Sequence, residues 1–129
     1  MSDLADLYRR YNATCNAHRF DALAEFVHDH LVVNGERLSR ADYAEGLRAV
    51  VRAFPDYRWE IEHLLVDGEV VAAHFTDTGT HRGEWLGVPA TGRAVSTQEF
   101  AVYRWSGGRI AEVWVTADNL GVLERLRAP

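Results

Sequence analysis

Leu4, Leu7, Tyr8, Tyr11, Cys15 and His18 recur at steps of three and four, which predicts an amphipathic helix over residues 3–18 with Ser2 as its cap. Asp21 then precedes a short second helix over residues 22–27, and residues 31–33 read as a short strand closed by the Asn34-Gly35 turn signal. Ser39-Arg40-Ala41-Asp42 has the form of a capping box, with Leu38 placed to pack on Tyr43. Tyr43, Ala44, Leu47, Val50, Val51 and Phe54 continue this third helix up to Pro55, because the residue before a proline avoids the helical region.

From Tyr57 the pattern changes to alternation. Trp59, Ile61, His63 and Leu65 alternate with Arg58, Glu60 and Glu62, and Asp67-Gly68 turns the chain into a strand over residues 70–78. A loop over residues 83–92 leads to a strand over 95–105, and Ser106-Gly107-Gly108 turns directly into another over 110–117. Helices grouped before three or four long antiparallel strands predict one α+β domain over residues 1–129. In it the helices cover one face of a strongly curved sheet, which closes a cone-shaped pocket.

Composition narrows the partners. The formal net charge is −5 and all fourteen basic residues are Arg. Schiff-base or P-loop chemistry, which needs a Lys amine, is excluded, and a nucleic-acid surface would be strongly basic. Cys15 is the single cysteine, so neither an intrachain disulfide nor a Cys-based zinc cluster is available. The opening residues have no signal-peptide pattern and no run of about 20 apolar residues occurs, so a cytoplasmic location without membrane is expected.

Ala53-Phe54-Pro55-Asp56, the segment from Gly79-Thr80-His81-Arg82-Gly83-Glu84-Trp85 to Thr91-Gly92-Arg93, Tyr103-Arg104 before a Gly-Gly turn, and Arg109 to Asp118 together carry a resemblance. From about Tyr8 to Leu126 the chain resembles the SnoaL-like polyketide cyclases, or ester cyclases, of the NTF2-like superfamily. The resemblance implies three N-terminal helices on a strongly curved mixed, mainly antiparallel sheet. It also implies a homodimer or higher homo-oligomer and a pocket at the wide end of the cone. For the cyclases it implies intramolecular aldol ring closure without metal or cofactor, and the absence of Lys, which suggests a GC-rich bacterial gene, is consistent with secondary metabolism. The acid/base would be the Asp ending a Glu-x-Trp-x-x-x-Asp segment, a position held here by Asp118.

Asp118 shares a strand face with Trp114 and Thr116, and a carboxylate beside an indole in a half-dry pocket would have a raised pKa suited to proton abstraction. Its plainer role is to cap a terminal helix starting at Asn119. His81, at the mouth of the loop, is a candidate to bind a substrate carbonyl or orient Asp118; a loop histidine satisfied by backbone is the alternative. His74 and Glu99 lie mid-strand, but Val70-Val71-Ala72-Ala73 is apolar on both faces and parity does not choose between them. Trp59, Phe75, Trp85 and Trp114 join them as candidate substrate contacts, favouring a small hydrophobic or aromatic carbonyl-bearing ligand. His28-Asp29-His30, read as a helix end, lacks a third metal ligand.

The leading reading is thus a cofactor-independent cyclase with an Asp acid/base and no metal. Epoxide hydrolysis or isomerisation in the same cone is a second reading, which requires a second carboxylate or a Tyr in contact with the pocket of Asp118. A non-enzymatic small-ligand binding module is the third, favoured by a sealed cavity with Asp118 bonded only to backbone at a helix start.

Overall fold

Asp3 accepts a hydrogen bond from Ala5 N (2.9 Å) and so starts helix α1, Leu4–Asn16, in the computed structural model, which describes residues 3–129. Ser2, the expected cap, lies outside the described residues. The helix stops short of residue 18 because His18 adopts a left-handed φ of 58° and its Nε2 meets the Tyr57 carbonyl at 2.9 Å. The second helical segment is a 3-10 turn, Phe20–Glu25, and strand β1, Val27–Val33, follows immediately. His28, Asp29 and His30 therefore lie on a strand, not at a helix end. His28 Nε2 contacts the Ser106 carbonyl (2.7 Å) and Asp29 pairs with Arg40 (2.7 Å).

Asn34 (φ 50°) and Gly35 (φ 83°) make the tight turn into β2, Glu36–Ser39, a four-residue strand that the hydrophobic pattern does not disclose. Ser39 Oγ then accepts from Asp42 N (3.0 Å) to begin α2, Arg40–Ala53, which ends before Pro55 as expected. The four long strands are β3, Arg58–Asp67; β4, Val70–Thr80; β5, Ala94–Ser106; and β6, Arg109–Ala117. A C-terminal helix, α3, Asn119–Arg127, adds to the three N-terminal helical segments.

One six-stranded sheet runs β2-β1-β6-β5-β4-β3, antiparallel except where β1 pairs with β6 in parallel. A bulge between Ile61 and His63 and a register shift at Arg104/Trp105 add the bending that curls it. Side chains alternate between faces along each strand. The odd-numbered residues of β4 and β5, among them Val71, Phe75, Asp77, Ala101, Tyr103 and Trp105, are buried on the concave face. There they pack with Tyr8, Tyr11 and Cys15 of α1.

Phe54, Val88, Val95, Val122 and Leu126 form a second cluster at the wide end, under α3. Gly79 is required there, since a Cβ would stand 2.9 Å from Phe54 Cβ.

Candidate active site

Two carboxyl groups face the interior of the cone. Phe75 and Glu99 are register partners on β4 and β5, so Asp77, two residues further along β4, is the diagonal neighbour of Glu99 on the same face. Asp77 is fully buried; its Oδ2 accepts from the Tyr57 hydroxyl at 3.0 Å, while Oδ1 has no hydrogen-bond partner. Tyr57 enters from the turn after α2, with its ring edge against Trp59.

Burial raises Glu99 well above the ordinary carboxylate range, and the Asp77 carboxyl beside it raises it further, against a smaller opposing contact with Trp59. Asp77 is raised too, by burial first, with Glu99 and Tyr57 opposing the rise. Two such groups share titration, and near neutral pH the pair holds one proton and one negative charge. Burial also holds the Tyr57 hydroxyl well above the usual phenol value, so it remains a donor.

Two spaces that share lining residues flank Glu99. A vestibule of about 290 Å³ lies at the wide end, walled by Leu47, Phe54, Tyr57, Trp59, Trp85 and Val122 among others. A chamber of about 90 Å³ lies at the closed end among Tyr8, Tyr11, Tyr43 and Tyr103. Leu47, Trp59, Glu99 and Val115 border both. Together they fall within the roughly 300–1,000 Å³ of a small-molecule site, apolar with a few polar groups converging.

Of the candidates named from sequence, Trp59 and Glu99 border both spaces, Trp85 the vestibule and Phe75 the chamber. His74 and Trp114 occupy even positions and stand on the opposite, convex face. There His74 stacks on Phe100 at 4.6 Å between ring centroids, beside a wide, open apolar recess of about 760 Å³. His81 is buried behind Phe54, with ring centroids 5.4 Å apart; its Nδ1 accepts from Thr91 N at 3.2 Å, which leaves Nε2 protonated and without a partner. Its backbone ties the loop shut through Arg93 O (2.9 Å) and Gly92 N (2.7 Å).

Asp118 is exposed and caps α3, Oδ1 accepting from Gly121 N at 3.0 Å. Its neighbours Ala117 and Asn119 border the vestibule.

The sequence pattern does not point to Asp77 or Tyr57 as site residues, and it reads Tyr8, Tyr11 and Tyr43 only as members of helical core stripes. The signal for Asp77 was its spacing of two from Phe75 on a shared face. Among the described residues no three His, Cys, Asp or Glu side chains converge to hold a metal ion, and no helix is long and apolar enough to cross a membrane.

A cone of helices on a curved mixed sheet, here with acidic groups inside an apolar pocket, is the NTF2-like architecture. Residues 5–126 match the SnoaL-like polyketide cyclase family, and the chain belongs to it. It is 31% identical to the aklanonic acid methyl ester cyclase of Streptomyces peucetius, over all of this chain and 94% of that protein. Identity to the aklanonic acid methyl ester cyclase of Streptomyces sp. strain C5 is 30%, over 100% of this chain and 84% of that one. The crystal structure of a SnoaL-like polyketide cyclase from Agrobacterium tumefaciens superposes with a TM-score of 0.88 at 29% identity, covering 98% of this chain and 99% of the other.

Proposed function

We propose that the protein is a cofactor-independent cyclase that closes a ring by intramolecular aldol addition, with Glu99 moving the proton. The observation that carries this reading is the Asp77–Glu99 pair, held in an apolar cone with Tyr57 on the Asp77 side. Glu99 borders the cavity and touches the substrate; Asp77 is buried behind it and positions it.

The proton of the pair rests on Glu99; when it passes to Asp77, Glu99 becomes a carboxylate next to an acidic C–H flanked by carbonyls. Glu99 takes the C–H proton, the carbanion attacks a carbonyl carbon of the same molecule, and Glu99-H returns the proton to the new alkoxide. Folding the chain so that its ends meet supplies much of the acceleration, up to about 7–11 kcal/mol in the best-oriented systems.

The substrate class is a small hydrophobic or aromatic molecule bearing carbonyls, as in the esters that the two Streptomyces relatives are named for. The homodimer implied by the resemblance would cover the convex face, where Leu65, Phe100 and Trp114 stand exposed.

Epoxide opening is a second reading, favoured by the second carboxyl and the Tyr in the cone: one group protonated for the epoxide oxygen, its partner ionised to activate water. Incubation with aklanonic acid methyl ester, followed by chromatography with mass detection, tests the first reading, and incubation with styrene oxide tests the second. Cyclisation gives a product of new retention time and unchanged mass, hydration of the epoxide adds one water, and tight binding with neither change points to a binding module.

The same assay decides between Glu99 and Asp118 as the group that moves the proton. Asn caps helices as well as Asp does, so Asp118→Asn should fold normally and keep turnover within about threefold, a change of less than 1 kcal/mol. Loss of turnover in that variant would assign the proton transfer to Asp118.

A further inference from the structure

The closed end of the cone has a composition the proton transfer does not use. Tyr8, Tyr11, Tyr43 and Tyr103 place four phenols around a chamber of about 90 Å³, below Glu99. The Tyr11 and Tyr43 hydroxyls are 2.6 Å apart. One donates to the other, so the pair keeps one proton with no assigned acceptor. The Tyr103 ring packs on both Tyr8 and Tyr11, at centroid distances of 4.9 and 5.9 Å.

Burial raises all four hydroxyls above the usual phenol value and pushes the Cys15 thiol up to about 12, so each stays protonated. The Asn12 amide of the same wall donates to the Trp59 carbonyl. No Arg borders the chamber and the chain has no Lys. It therefore offers several neutral donors and no positive charge, next to a carboxyl pair that carries one negative charge.

An uncharged oxygen acceptor suits such a wall. A carbonyl oxygen accepts the spare phenol proton, and the same hydrogen bond strengthens as charge develops on that oxygen when the neighbouring C–H is deprotonated. A free carboxylate there would lose its hydration, gain no counter-ion and meet the charge of the Asp77–Glu99 pair. We infer that the Tyr11–Tyr43 hydroxyl pair is the seat of an ester or ketone carbonyl of the substrate, and that the chamber discriminates against the corresponding free acid. This rests on the cone being the substrate site.

The test is calorimetric binding of methyl 2-naphthoate and of 2-naphthoate at pH 7.5, to the full chain and to the double variant Tyr11→Phe/Tyr43→Phe. Phe keeps the ring and its packing, and urea unfolding confirms that the variant is folded. The parent should bind the ester at least about tenfold more tightly than the acid anion, and the double variant should lose about 5–10-fold for the ester, as for one lost hydrogen bond. A chamber that is merely apolar gives the opposite sign, since removing two hydroxyls would tighten ester binding.

Equal or tighter binding of the anion by the parent, or unweakened ester binding by the variant, overturns the inference while leaving the cyclase reading intact. No binding of either probe to the parent removes the cone as the substrate site, and both readings with it.

Discussion

Glu99→Gln is expected to lose turnover by about 10²–10⁴-fold, the usual contribution of a positioned acid/base, and yet to be more stable than the parent at neutral pH. The two effects have one cause. Burial and the Asp77 carboxyl disfavour a second negative charge in the cone, which raises Glu99 above its unfolded value. A carboxyl raised on folding binds its proton more tightly in the native state. That state is therefore favoured at low pH, and the advantage is lost as pH rises from about 4.3 towards the raised value.

Gln keeps the shape and the hydrogen-bonding capacity and removes the ionisation. The variant should gain about 1–2 kcal/mol near pH 7, discounted because Glu99 keeps some exposure, and almost nothing near pH 4. Chemical denaturation across that range reads the difference directly. A variant that is equally stable at all pH values would show that Glu99 is ionised without penalty.

Phe54→Ala should cost about 3–5 kcal/mol, the range for truncating a buried Phe, and is the largest expected effect on stability. Phe54 is 2% exposed and stands where the end of α2 meets the sheet. Its ring lies 5.4 Å from His81, 5.7 Å from Trp85 and 5.8 Å from Tyr57, and its Cβ occupies the space left by Gly79. Truncation removes the partner of three aromatic groups at once and enlarges the vestibule beside Glu99. Thermal unfolding should show a drop of more than 10 °C, by the usual conversion for a domain of this size; a shift of a few degrees would mean that the loop around Trp85 collapses into the space.

The order of elements was legible because periodicity reports which residues are buried. Tyr8, Tyr11 and Cys15 face the core as their spacing requires, and the turns at Asp67-Gly68 and Ser106-Gly107 fall where Gly demands them. β2 was not legible: Glu36-Arg37-Leu38-Ser39 is short, polar but for Leu38, and held by its pairing with β1.

The site was legible only in part, for a physical reason. Val70 to Ala73 are apolar on both faces because the convex face of the sheet is itself apolar, with Phe100 and Trp114 exposed on it. Alternation therefore could not say that Phe75 and Glu99 look inward while His74 and Trp114 look outward. Thr76-Asp77-Thr78 reads as the polar end of a strand, and only the β4–β5 register brings Asp77 to Glu99. The phenols belong to a helical stripe that serves the core, and periodicity does not report where their hydroxyls meet.

The most direct test is whether the cone holds a protonated carboxyl at neutral pH. Infrared difference spectroscopy of the parent against Glu99→Gln at pH 7 reads the C=O stretch of a neutral carboxylic acid separately from the carboxylate bands. A neutral-acid band is expected in the parent, shifted in D₂O and absent from the variant. A difference spectrum containing only lost carboxylate bands would mean that both groups are ionised, and would contradict the shared proton on which the proposed chemistry depends.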